Sequence, residues 1–122
     1  MTEAELEVFP RDGVLVARIE GEVDLTNAAH VGERIQASSG NHLLGIVVDL
    51  TSTRYLDSAA IRMLFDLSTR TRTARQGLGI VVDGAAPVRR LIELVGLREV
   101  AIVGSDIGTC IEEIRRTASE RL

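Results

Sequence analysis

The chain contains no lysine and no tryptophan, only three aromatic residues (Phe9, Tyr55 and Phe65), one cysteine (Cys110) and two prolines. Each shortage excludes something. Without lysine there is no Schiff-base chemistry and no phosphate-binding P-loop lysine. Three aromatics are too few for a base-stacking platform. A net charge of −4 also argues against direct nucleic-acid binding. A lone cysteine permits neither an intrachain disulfide nor a cysteine-based zinc site. His30 and His42 complete a poor set of soft metal ligands, so no metal and no cofactor is expected. No apolar run approaches the roughly 18–20 residues of a membrane span. The acidic N-terminus has neither the basic nor the apolar region of a signal peptide, so the expected location is the cytoplasm.

What remains is a chain of 122 residues, 45% hydrophobic and 26% charged. That size and balance suit one globular domain spanning 1–122, with a core over about 5–117. Residues 5–9 alternate weakly, like an edge strand ending at Pro10. Asp12-Gly13 is a hairpin turn signal, and 14–20 alternates as its partner strand. Gly21-Glu22-Val23-Asp24 is expected to break that strand. From Thr26 the apolar spacing becomes helical, with Asp24 or Thr26 as a candidate cap, until Ser38-Ser39-Gly40-Asn41.

Leu43 to Leu50 is nearly all apolar, as in a strand buried on both faces. Thr51 to Arg54 is expected to be a polar loop. Helix follows over about 58–75, a buried strand over 78–82, and a helix over about 87–95 between Pro87 and Gly96. A short strand over 100–103 and an amphipathic helix from Asp106 to about Arg121 complete the chain. The order ββαβαβαβα predicts an α/β fold, with a mixed, mostly parallel sheet of about five strands and about four helices.

Catalytic templates fail. There is no nucleophile elbow, no Walker motif and no zinc-protease motif. His30 and His42 read as solvated surface residues. Asp49 and Asp83 lie after buried strands, where α/β ligands bind. The simpler reading has Asp49 capping the Thr51-Ser52 loop and Asp83 shaping an Asp-Gly turn. A phosphoryl-receiver pocket would also need an acidic pair and a late lysine, which are missing. No catalytic residue is assigned, and an enzyme is not expected.

The informative segment is Asp57-Ser58, where a loop hands over to a helix. Both are good N-cap residues, worth about 1 kcal/mol. A phosphate on a serine at such a place is tolerated by the helix dipole, yet adds about −1.5 to −2 charges beside Asp57. A partner docked there would meet a desolvated dianion, so the fold survives and the complex does not. On the helix beyond, Ala60, Met63, Leu64 and Leu67 form a core stripe. Ile61 and Phe65 belong either to a wide core face or to a partner-facing patch beside Arg62. Arg70, Arg72 and Arg75 read as a solvated helix end or a steering patch for an acidic partner. Cys110 reads as a buried small hydrophobe.

Three motifs in order resemble a known family. They are Gly21-Glu22-Val23-Asp24 after a strand, Leu56-Asp57-Ser58 before a helix, and Pro87-Val88-Arg89-Arg90-Leu91-Ile92-Glu93-Leu94-Val95-Gly96-Leu97. The family is the STAS domain, in particular the bacterial anti-sigma factor antagonists, and the resemblance covers about 5–117. It implies a protein that binds a serine-kinase anti-sigma factor and so frees a sigma factor. The kinase would phosphorylate Ser58, and a serine phosphatase would reverse this. Asp24 and Asp57 match the family's acids beside the acceptor and would order the loop and meet the kinase, on a face shared with Ile61, Arg62 and Phe65. The family usually continues Asp-Ser with Ser/Thr-Gly, whereas this chain has Ala59-Ala60. That departure keeps a second reading open, a STAS scaffold that is never phosphorylated, for example an accessory module of a lipid-transport system.

Overall fold

A computed structural model describes residues 3–120. Strands β1 (Ala4–Arg11) and β2 (Val14–Val23) form an antiparallel hairpin that closes at the Arg11–Val14 pair. Asp12 and Gly13 both adopt positive φ, 51° and 83°. Two such residues make the turn whose twist matches that of its strands, which is why Asp-Gly stands there. Pro10 does not end β1 but lies within it. Its missing N–H is tolerated because β1 is an edge of the sheet.

The sheet runs β1-β2-β3-β5-β6, with β3 Gly45–Asp49, β5 Gly77–Val81 and β6 Ile102–Gly104. All pairings beyond the hairpin are parallel. A sixth strand, β4 (Thr53–Leu56), lies off this path and pairs with β2. Two sequence expectations change together here. Gly21–Val23 continues β2 instead of breaking it, and Thr53-Arg54 is strand instead of loop. The first part of β2, Val14–Arg18, pairs with β3, and its last part, Gly21–Val23, pairs with β4. Within the β4 pairing the register shifts between Gly21 and Glu22, which oppose Thr53 and Tyr55, so Arg54 is the extra residue of a β-bulge in β4. In β4 only Thr53 and Leu56 are buried, so no alternation betrays it.

Alternation along the strands sorts the core onto two faces of the sheet. Leu15, Ala17, Ile19, Ile46, Val48, Leu78 and Ile80 share one cluster with the apolar stripes of α1 (Ala28–Ser38), α2 (Ser58–Thr73) and α3 (Pro87–Leu94). Val14, Val16, Val47 and Val81 form the other, with Cys110, Ile111 and Ile114 of α4. Helix α4 covers Ile107–Glu120; Arg121, the expected end, lies outside the described residues. It sits close to the sheet because glycines line its path. A Cβ at Gly79 would stand 3.2 Å from Cys110 Cβ, and one at Gly104 would stand 3.0 Å from Cys110 Sγ. Cys110 is buried as expected, and that burial pushes its thiol pKa up, with Asp106 adding to the effect.

Asp49 caps its own loop as the sequence suggests, accepting from Thr51 N–H at 3.0 Å and Thr51 Oγ1 at 2.7 Å. The sequence did not reveal its other partner. Arg18 Nε, on the neighbouring strand, donates to Asp49 Oδ2 at 3.1 Å, and the guanidinium lies 5.5 Å from the Phe9 ring centroid. Asp49 is only 3% exposed, so removing the cation strands a buried carboxylate. Arg18→Met is expected to cost about 2 kcal/mol in urea unfolding, and adding Asp49→Asn to recover part of that loss. Simple additivity of the two substitutions would show that the pair is not coupled.

Candidate functional site

The candidate site forms where β2 and β4 end side by side. The Asp57 N–H donates to Val23 O at 3.2 Å and fastens the two strand ends. The Asp57 carboxylate then does two jobs. Oδ1 accepts from the Ala60 N–H at 3.0 Å, capping α2. Oδ2 accepts from the Leu25 N–H at 2.9 Å, holding the loop that follows β2. Ser58 is therefore not the cap but the first residue of the helix, with an exposed side chain. The reason is geometric: the capping residue has extended backbone, and Asp57 has φ −101° and ψ −171°.

Asp24 organises the loop on the other side. Its Oδ1 accepts from Thr26 N–H at 2.9 Å and Thr26 Oγ1 at 2.6 Å, an Asx-type turn. Neither Asp24 nor Thr26 caps α1. That position belongs to Asn27, whose Nδ2 donates to Glu22 O at 3.0 Å and whose Oδ1 accepts from Asp24 N–H at 3.0 Å. The side-chain network ties Asn27 back to β2 and leaves the helix start without a side-chain cap. Asp24, Asp57 and Ser58 are thus brought to one end of the sheet by three devices: the parallel pairing of β4 with the end of β2, the Asx turn and the cap of α2.

Along α2, Ala60, Met63, Leu64 and Leu67 are buried as the stripe predicts. Ile61 and Phe65 are half-buried and pack against the edge of the larger core cluster, while Arg62 is exposed. Ile61 and Phe65 therefore each have one side on the core and one toward solvent. Ala59 is half-buried, and Ala60 is 0% exposed. His30 and His42 are exposed, and neither lines the cavity beside Ser58. Among the described residues no base is hydrogen-bonded to Ser58, and no group of three or more His, Cys, Asp or Glu could hold a metal ion. No helix among them is long and apolar enough to cross a membrane.

Sequence reasoning missed two apolar side chains at this end. Leu25 is 81% exposed and Tyr55 is 50% exposed. For Leu25 the available signal was its isolation among polar neighbours, Asp24-Leu25-Thr26. It also missed a groove of about 520 Å³ between α1 and α2. One wall is the α2 ridge Ser58, Arg62, Asp66 and Arg70; Leu25 and Glu33 stand opposite. The helices approach closely because α1 presents Gly32, where a Cβ would stand 2.9 Å from Met63 Cγ.

The double role of Asp57 is directly testable. Asp57→Ala removes both acceptors and is expected to cost about 2 kcal/mol. Asp57→Asn keeps one acceptor oxygen, so it should cap α2 or hold Leu25 but not both, and lose about half as much. Equal losses from both substitutions in urea unfolding would contradict this division.

Comparison with known proteins points one way. The STAS domain family model matches residues 5–113. The anti-sigma-F factor antagonist RsfB of Mycobacterium tuberculosis H37Rv is 32% identical over 90 residues, 74% of this chain and 72% of the relative. A crystal structure of an anti-sigma factor antagonist from Mycobacterium paratuberculosis superposes with a TM-score of 0.81 at 25% identity, covering 93% of this chain and 95% of that one. The unphosphorylated antagonist SpoIIAA shares the fold, with a TM-score of 0.66 at 15% identity over 94% of this chain and 97% of its own. With the hairpin, the pairing of β4 with the end of β2 and the Asp57-capped helix in place, the chain belongs to the STAS domain family.

Proposed function

We propose that this protein is an anti-sigma factor antagonist, not an enzyme. It binds a serine-kinase anti-sigma factor in the cytoplasm, releases the sigma factor, and is switched off when that kinase phosphorylates Ser58. A serine phosphatase resets it. The observation that carries this reading is the exposed Ser58 at the first position of α2, beside a carboxylate already committed to capping. A hydroxyl held there is open to a kinase, and modifying it breaks no contact that the fold needs. The helix start tolerates a phosphate, while a docked partner has to desolvate it. Asp24, Asp57, Ser58, Ile61, Arg62 and Phe65 form the docking face, and no nucleic acid takes part.

The Ala59-Ala60 departure does not weaken this reading. The Ala60 methyl is buried in the core and does not stand between Ser58 and an approaching active site. Ala60→Gly is expected to cost about 1 kcal/mol of stability and to leave the rate of Ser58 phosphorylation within about twofold. A large gain in rate would show that the alanine obstructs the kinase.

The role itself is tested by reconstitution. An anti-sigma–sigma complex is titrated with this protein and free sigma factor is measured. Release by the unmodified protein and none by the phosphorylated form is the expected pattern. A stable complex with no sigma release in either state would favour the scaffold reading.

A further inference from the structure

We propose that Arg62 is the intramolecular counter-ion of a phosphate on Ser58. The inference rests on the reading that Ser58 takes a phosphate, and it assigns the residue that holds the modified state. Ser58 and Arg62 stand four residues apart on α2, are both exposed, and line the same wall of the α1–α2 groove. Side chains on a helix lean toward its N-terminus, so Arg62 reaches back over Ser58. An anion followed four residues later by a cation is also the favourable order along a helix. A guanidinium matches the phosphate oxygens with a two-pronged fork.

Arg62 is free to do this. Among the described residues it has no ion pair and no side-chain hydrogen bond. Asp66, the next residue on the ridge, does not pair with it, and cation-before-anion is the weaker order. The Ala60 and Ile61 N–H groups are already taken by Asp57, at 3.0 Å each. A phosphate at Ser58 also stands beside Asp57 at the cap and shares the groove with Glu33 on α1 and Asp66 on α2. Arg62 and the more distant Arg70 are the cations on this wall. Phosphorylation then changes the docking face twice: it adds an anion and withdraws an arginine that a partner would otherwise meet.

The test installs phosphoserine at position 58 during synthesis of the full chain, so it does not depend on any kinase. The phosphate is titrated by phosphorus NMR in the parent, Arg62→Gln, Arg62→Lys and Arg70→Gln proteins. Arg62→Gln is expected to raise the second phosphate pKa by about half a unit, Arg62→Lys by less, and Arg70→Gln not measurably. The Arg62→Gln effect should shrink in 1 M salt, on the order of the shorter screening length there. Coincident curves for the parent and Arg62→Gln, or a larger effect from Arg70→Gln, would overturn the assignment. A protein that no kinase modifies but that shows the Arg62 shift would instead sink the phosphorylation reading while leaving the counter-ion intact.

Discussion

Ser58→Asp is expected to weaken binding to the anti-sigma factor by at least about 30-fold, and Ser58→Ala to keep it within about threefold. The asymmetry follows from what each change leaves at the interface. Ala removes an exposed hydroxyl that no neighbouring side chain needs. Asp places a carboxylate beside Asp57, whose own oxygens are taken by Leu25 and Ala60. A docked partner would have to strip water from two adjacent anions. Leaving a charge unpaired in a protein interface typically costs about 2–5 kcal/mol, which sets the lower bound of the loss. The fold itself should not suffer, because a carboxylate in the first turn of a helix is favoured by the dipole. Isothermal titration with the isolated anti-sigma factor measures both variants. Parent-like affinity for Ser58→Asp would remove electrostatic exclusion as the basis of the switch.

The second large effect lies outside the docking face. Gly21→Ala is expected to destabilise the protein by about 3 kcal/mol and to lower its melting temperature by roughly 10 °C. Gly21 adopts φ +104°, and a Cβ there would stand 2.3 Å from the carbonyl oxygen of Glu3. Backbone, not a pliable side chain, occupies that space, so β1 and β2 have to separate. The same carbonyl accepts the Glu22 N–H at 2.9 Å, which holds β2 against β1 where its register with β4 shifts. Two residues on, the Val23 carbonyl accepts the Asp57 N–H at 3.2 Å, so this stretch of β2 also positions Asp57. Gly21→Ala should therefore also weaken partner binding in the folded fraction, although residue 21 is buried. A loss below about 1 kcal/mol would show that the strands accommodate the methyl group and that the glycine has another purpose.

These two residues also show how far the sequence can be read. Ser58 was legible because a loop-to-helix boundary is written locally, in residue types that cap helices. The buried strands were legible for a similar reason: Gly-Ile-Val-Val-Asp, buried at every position of β3, has a single reading in an α/β chain. Gly21 was misread because glycine usually ends a strand. Its actual task is set by Glu3, eighteen residues earlier, and no local window contains that contact. Strand β4 escaped for the same kind of reason. Thr-Arg-Tyr-Leu has no alternating pattern, and its place is fixed by the second half of β2. At α2 the sequence offered both Asp57 and Ser58 as caps and backbone geometry selects Asp57, whereas at α1 it offered Asp24 or Thr26 and the position belongs to Asn27. Arg18 against Asp49 and the groove beside Arg62 are products of packing between elements, which periodicity does not encode.

The central claim is that Ser58 is the phosphoacceptor of a partner switch. Its most direct test is the intact mass of the protein after incubation with serine-kinase anti-sigma factors from the same genome, together with ATP and magnesium. A single added phosphate that disappears in Ser58→Ala is the predicted result, and it identifies the partner as well. A kinase that forms a measurable complex with the protein yet adds no phosphate would contradict the account.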